Sequence, residues 1–283
     1  MIHLHDICYL RLGCRDLDEM VGFATSILGL ELRERTDTHA YLRGDDSAYN
    51  LCYIQDMEGY DVCAFEVKEL SELDKAEKEL AEHGIQTTRG TEAECVERKV
   101  EAMLAFSDPN DNKVELVYRP HLTGVPYFPS RNAGITEFGH FGLHTREGER
   151  DLRFWTEVMS ARVSDMIGTG ALLRIDEVHH KIALFPSDQD GIQHVNFQVS
   201  SVDDVMRAWY FLKEKNVPIV FGPGRHPTST AIFLYFMGPD KRVYEYSSGV
   251  KRITDEENYT PRQFERKPTS FCLWGAKPNP DFL

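Results

Sequence analysis

Two hydrophobic periods alternate along the chain. Short runs with period-2 alternation, or rich in β-branched and aromatic residues, read as strands. Stretches with apolar residues three and four apart read as helices. These runs recur in a fixed order. The first unit opens with ICYLRL, passes through a helical DLDEMVGFATSILG and closes with strands around LELRER, HAYLRG and YNLCYIQ. The second runs VCAFEV, then SELDKAEKELAEHG, then strands near VEAMLAFSDP and NKVELVYR. The third runs FGHFGLHT, then EGERDLRFWTEVMS, then ARVSDM, GALLRID and KIALFP. The fourth runs QHVNFQV, then SVDDVMRAWYFLKEKN, then VPIVFG, TAIFLYFMGP and RVYEYSSG. Ser201 followed by Asp203 and Asp204 suits a helix N-terminus, and Val205, Ala208, Trp209 and Leu212 form one apolar face. Gly29 and Gly84 stand where helices stop.

The chain therefore reads as four copies of one β-α-β-β-β module, taken two by two. FATSILG at Phe23 matches FWTEVMS at Phe154, and AFEV around Phe65 matches NFQV around Phe197. SDPNDNKVELV matches MGPDKRVYEY, with Glu115 and Glu245 each six residues after a proline, Pro109 and Pro239. Self-similarity of this kind is an architectural signal. It predicts an α+β protein of two domains, each a curved mixed sheet with helices outside. The first domain is expected at 1–120 and the second at 135–250. The Pro/Gly-rich HLTGVPYFPSRNAG at 121–134 links them, and a polar, proline-containing tail follows at 251–283. That tail is expected to wrap a surface, anchored by Phe271 and Trp274.

Composition narrows the picture. A length of 283 residues allows two cores of ordinary size. A net charge of −14 disfavours nucleic acid and anionic membranes as partners. There is no apolar run of about 18 residues to span a membrane. The N-terminus lacks the basic, apolar and small-residue sequence of a signal peptide, so a cytoplasmic protein is expected. The six cysteines include no CxxC pair and are expected to be reduced thiols.

The histidines carry the chemistry. His140 lies in the first strand of unit three, His194 in the first strand of unit four, and Glu245 in the last strand of unit four. Paired modules bring such strands together around a concave sheet. Two imidazoles and a carboxylate facing inward form a three-ligand face suited to Fe(II), with Mn(II) the alternative. The first half is an internal control: its equivalents are Tyr9 and Val62, and only Glu115 remains. A folding requirement for histidine would apply to both halves. A lone histidine on an apolar strand is ordinarily a hydrogen-bonded core residue. Two at matching repeat positions, joined by an inward glutamate that needs a partner, favour a metal.

Taken together, GHFGLHT, EVHHKIALFP, QHVNFQVSSVDDV, GRHPTSTAIFLYFMGPDKRVYEY and SFCLWGAKP give the chain a full-length resemblance. It resembles the two-domain type I extradiol dioxygenases of the vicinal oxygen chelate superfamily. The resemblance implies extradiol cleavage of a catechol-type diol with Fe(II) and O₂, with metal ligands His140, His194 and Glu245. It implies an acid-base role for His180, a substrate-contacting role for His226 and an active-site role for Tyr235. It also implies a homo-oligomer. His179 is expected to be peripheral. His144 is expected to be structural, with ligation the alternative, and His3, His5, His39 and His83 are expected at the surface. Some relatives carry a polar residue where this chain has Gly142, and some an asparagine or aspartate where it has Pro227 to Thr230. These departures bear on substrate preference and on details of oxygen activation, not on the metal. Three other readings stay open: a hydroquinone-cleaving enzyme with the same triad, a glyoxalase-like metal lyase or isomerase, and a non-catalytic binding module.

Overall fold

The computed structural model describes residues 1–279. Eight strands form the first sheet: β1 (Asp6–Cys14), β2 (Glu31–Arg35), β3 (His39–Arg43), β4 (Leu51–Gln55), β5 (Asp61–Val67), β6 (Thr87–Arg89), β7 (Val100–Ser107) and β8 (Lys113–Pro120). Nine form the second: β9 (Ile135–Thr145), β10 (Arg162–Ile167), β11 (Gly170–Arg174), β12 (Ile182–Pro186), β13 (Ile192–Val199), β14 (Ile219–Arg225), β15 (Ile232–Met237), β16 (Val243–Ser248) and β17 (Arg262–Phe264). The helices are α1 (Leu17–Phe23), α2 (Leu70–Glu82), α3 (Glu92–Arg98), α4 (Gly148–Arg153), α5 (Val202–Glu214) and α6 (Pro268–Phe271).

The strand orders are β2-β3-β4-β1-β5-β8-β7-β6 and β14-β15-β16-β13-β9-β12-β11-β10-β17. Each module closes on itself through one parallel pair: β1 with β4, β5 with β8, β9 with β12, and β13 with β16. The helix after the first strand carries the chain across, which a parallel pair requires. Two modules then meet antiparallel, at β1 and β5 in the first sheet and at β9 and β13 in the second. This is the mixed α+β architecture that the repeats predict.

Local chemistry sets the helix starts. The Asp16 side chain accepts from the Glu19 amide and Ser201 from the Asp204 amide. α1 and α4 each run on into a π-helical turn, at 24–28 and 154–158, so the repeat extends to this irregularity. α3 has no counterpart in the sequence reading, although Thr91 and Glu94 form a capping box that marks its start.

Alternation along the strands decides which face does what. Leu10 and Leu12, Phe141 and Leu143, Val195 and Phe197, and Tyr244 and Tyr246 all enter one apolar core shared by both sheets. The intervening residues Tyr9, Arg11, His140, His194 and Glu245 therefore project from the opposite faces. Phe65 packs on Phe141 and Trp155 across the sheets, at ring distances of 5.7 and 5.5 Å.

Two expectations need correction. Trp274 does not anchor the tail: it is 54% exposed, whereas Cys272 and Ser270 are buried and Phe271 is half-buried. The tail lies close on β14, where a Cβ at Gly224 would stand 2.7 Å from the Cys272 sulfur. His39 is not a free surface residue either. It is half-buried beside the pair formed by Arg11 and Glu97, 3.2 Å from the Glu97 carboxylate. All six cysteines are free. No helix among the described residues is long and apolar enough to cross a membrane.

Candidate metal centre

Three neighbouring strands, β16, β13 and β9, supply the three groups. Asn196 on β13 stands opposite both His140 on β9 and Glu245 on β16. His194 lies two residues along β13 on the same face. The side chains converge: His140 Nε2 is 3.0 Å and His194 Nε2 is 3.4 Å from a Glu245 carboxylate oxygen. The two Nε2 atoms are 2.9 Å apart. All three residues are buried. Among the described residues this is the one cluster of three or more such groups close enough to share an ion.

Whether a cation fits there can be judged from the atoms present. The distances are within ion-pair reach, yet no N–H is directed at the carboxylate, and both Glu245 oxygens lack a hydrogen-bond donor. A buried carboxylate without donors is costly. Burial lowers the His140 imidazole to about 4 against the pull of Glu245, so it is neutral at pH 7 and has a lone pair to offer. Burial alone would raise the Glu245 carboxyl, but the facing imidazoles, His140 first, hold it well below its ordinary range. Two imidazole nitrogens and one carboxylate with bare oxygens fit a divalent cation.

The equivalent place in the first sheet makes the contrast. Tyr9, Val62 and Glu115 occupy the same register there, with Ala64 opposite both Tyr9 and Glu115. Glu115 accepts from Tyr9 Oη at 2.6 Å and from Arg98 Nε at 2.7 Å. Its carboxylate is satisfied by protein groups. Cavities of about 290 and 310 Å³ flank this first sheet and contain none of the three converging groups. Chemistry marks the site better than cavity size does.

The surrounding residues fall into two sets. His180, His226 and Tyr235 are all brought to the cluster. The His180 ring lies 4.2 Å from that of His140, and burial holds its imidazole well below its ordinary range. His226 donates from Nδ1 to the Phe271 carbonyl at 2.8 Å, which leaves Nε2 3.2 Å from Tyr235 Oη and 3.8 Å from Glu245. Tyr235 pairs with Glu245 across β15 and β16, and burial, then the Glu245 charge, pushes its phenol well above the usual range. His144 is not part of the three-group cluster, although its Nδ1 is buried without a partner.

Other residues escape the sequence reading. Gln193 Oε1 lies 2.5 Å from His194 Nδ1 and accepts its N–H, which turns the Nε2 lone pair inward. Being next to a ligand in sequence is its only signal. His179 is not peripheral: it is fully buried, 2.9 Å from the Asp165 carboxylate and 3.1 Å from His180 Nδ1. Asp165 could have been suspected, since an acid in the strand RVSDMI needs a partner.

Comparison with known proteins bears on the family and the fold. The model of the Glyoxalase/Bleomycin resistance protein/Dioxygenase superfamily matches residues 6–116 and 137–246. An iron-dependent extradiol dioxygenase of Rhodococcus jostii (strain RHA1) is 25% identical, over 96% of each chain. The crystal structure of a halotolerant catechol dioxygenase superposes with a TM-score of 0.91 at 23% identity, covering 100% of this chain and 98% of its own. A Mn(II)-bound glyoxalase from Novosphingobium aromaticivorans superposes with a TM-score of 0.89 at 23% identity, covering 100% and 95%. Two matched segments, each taking in one pair of modules, place the chain firmly: it belongs to the Glyoxalase/Bleomycin resistance protein/Dioxygenase superfamily.

Proposed function

We propose that this chain is an extradiol ring-cleaving dioxygenase that opens a catechol-type aromatic diol with O₂, using Fe(II) held by His140, His194 and Glu245. One observation carries the reading: two imidazoles and a donorless carboxylate converge in a buried site. A bound Fe(II) would supply the redox chemistry linking diol and O₂, and three protein ligands leave it open positions for both. Mn(II) suits the same donors. A lyase or isomerase of this superfamily is less well served, because three donor groups gather here rather than four. The printed names of relatives point the same way, including biphenyl-2,3-diol 1,2-dioxygenase and 3-methylcatechol 2,3-dioxygenase.

The chain's own residues handle binding and protons. His180, beside His140, accepts a proton from a diol hydroxyl and can return it to oxygen. Tyr235 Oη offers a hydrogen bond to a substrate oxygen. His226, pinned at Nδ1 by the Phe271 carbonyl, turns Nε2 toward the same region and contacts the bound diol. On this reading residues 135–250 are the catalytic domain and 1–120 a companion without metal ligands.

The test is reconstitution with Fe(II) under anaerobic conditions, then O₂ with a panel of catechols and hydroquinones. A yellow ring-opened product with catechols and matching oxygen uptake, both lost in His194→Ala, is expected. Product from hydroquinones alone would favour the other ring cleavage. Retained metal without oxygen uptake would favour a lyase or isomerase. A chain that holds no metal would be a binding module.

A further inference from the structure

A line of buried polar groups runs from the tail to the site. Asp165, on β10, is fully buried. Its carboxylate accepts from Arg262 three times: from the backbone amide at 2.9 Å, Nε at 3.1 Å and Nη2 at 2.6 Å. Arg262 is in β17, which pairs with β10 as an edge strand, and its Nη2 also donates to the Thr228 carbonyl at 2.7 Å. Asp165 then faces His179 Nε2 at 2.9 Å, and His179 Nδ1 faces His180 Nδ1 at 3.1 Å. His179 is fully buried.

We propose that His179, fixed by Asp165 and Arg262, is a positioning residue that sets the tautomer of His180 and presents its Nε2 lone pair to the substrate. The inference rests on the ring-cleavage reading above for its functional meaning, though not for its geometry. An ionised carboxylate only accepts, so the hydrogen between Asp165 and His179 belongs to His179 Nε2. A neutral imidazole has one N–H, which leaves His179 Nδ1 bare. His180 must then donate from its own Nδ1, and its Nε2, on the far edge of the ring, keeps a lone pair. The opposite assignment needs either a doubly protonated His179 or a protonated Asp165. Burial, despite the pull of Asp165, keeps the His179 imidazole below its ordinary range. Burial would raise the Asp165 carboxyl, but hydrogen bonds from His179 and Arg262 hold it below its own. A base whose lone pair points at its proton needs no reorganisation, and the second imidazole also locks the ring's orientation. The tail strand β17 thereby acquires a role: it supplies the cation that keeps Asp165 ionised in the interior.

The experiment has two arms. In the first, the full-length chain, loaded with diamagnetic Zn(II) and labelled with ¹⁵N-histidine, is examined by two-bond ¹H–¹⁵N correlation. His180 protonated at Nδ1 and His179 at Nε2 is the expected result, and His180 protonated at Nε2 overturns the proposal. This arm needs no turnover, so it decides the tautomer even where ring cleavage itself fails. In the second arm, His179→Leu and His179→Asn are compared in the Fe(II) enzyme. Asparagine places an amide oxygen where Nδ1 stood and can still accept from His180; leucine cannot. His179→Leu is expected to lower kcat on the order of 100-fold, the range for a mispositioned general base, with KM and iron content unchanged. His179→Asn is expected to recover most of that loss. Equal losses in both variants accompanied by loss of iron, or an unchanged kcat in His179→Leu, would make His179 a structural residue only.

Discussion

At the residue scale, the site depends on what is missing as much as on what is present. Gly142 stands opposite His194, and a Cβ there would lie 2.5 Å from His194 Nδ1 and 3.0 Å from Gln193 Oε1. The absent side chain is therefore the space in which Gln193 turns the imidazole. Gly142→Ala should weaken Fe(II) binding by roughly 10- to 100-fold, the usual effect of disturbing a group that orients a ligand, while the fold persists. Fe(II) titration alongside circular dichroism checks this, and an unchanged affinity would remove Gln193 from the account. The buried imidazoles make a second prediction. His140 sits at about 4 in the folded chain, against 6.5 ordinarily, so between those values the unfolded chain binds more protons. Stability is then fully present above about 6.5 and is lost as pH falls toward 4, by roughly 3 kcal/mol for this residue. His179 and His180 shift in the same direction and add to the loss. Thermal melts of the metal-stripped chain from pH 8 to 4 should show Tm falling through this window; a flat Tm there would show that these rings are hydrated when the metal is gone. The histidine and glutamate positions of the triad could be read from sequence because repeats gave a control. Gln193 and Asp165 could not be assigned roles, because their partners come from tertiary contact rather than from spacing.

At the element scale, the regular parts were legible and the irregular ones were not. Strand alternation and helical spacing reveal all four modules, because each strand has one apolar face and one polar face and a shift of one residue would exchange them. That same alternation puts Tyr244 and Tyr246 in the core and Glu245 on the other side, as the sequence pattern implies. α3 went unseen since its seven residues carry too few apolar positions to show a period, although its capping box was available. β17 is harder still. Three residues, none fully buried, have no pattern of their own, and only the free edge of β10 makes them a strand. Part of the tail is held through the backbone, as with the Leu273 amide to the Arg225 carbonyl at 2.8 Å and the Phe271 carbonyl to His226. Backbone partners leave little trace in side-chain identity, which is why Trp274 was the wrong anchor to expect, whereas Phe271 is half-buried and its carbonyl holds His226.

At the scale of the whole molecule, the two sheets are similar in plan but are not independent bodies. Their apolar faces enter one continuous core, and polar contacts cross between them: Tyr53 and Tyr244 share a hydrogen bond at 2.8 Å, and Arg242 pairs with Asp61 at 2.5 Å and donates to the Gly13 carbonyl at 3.1 Å. The first sheet thus gives the second a rigid back, and the three converging groups hang from the far side of that support. Phe65 tests this directly, being fully buried in the first sheet with its ring against Phe141 and Trp155 of the second. Phe141 is the residue after His140 on β9. Phe65→Ala should cost about 3–5 kcal/mol, the usual range for removing a buried phenylalanine ring. With one shared core, that loss should appear as a single unfolding transition, shifted as a whole, with hydrogen-exchange protection falling in strands of both sheets. Two transitions, with protection lost from the first sheet alone, would show that the halves fold separately. The metal centre would then depend on its own three strands and not on the companion sheet behind them.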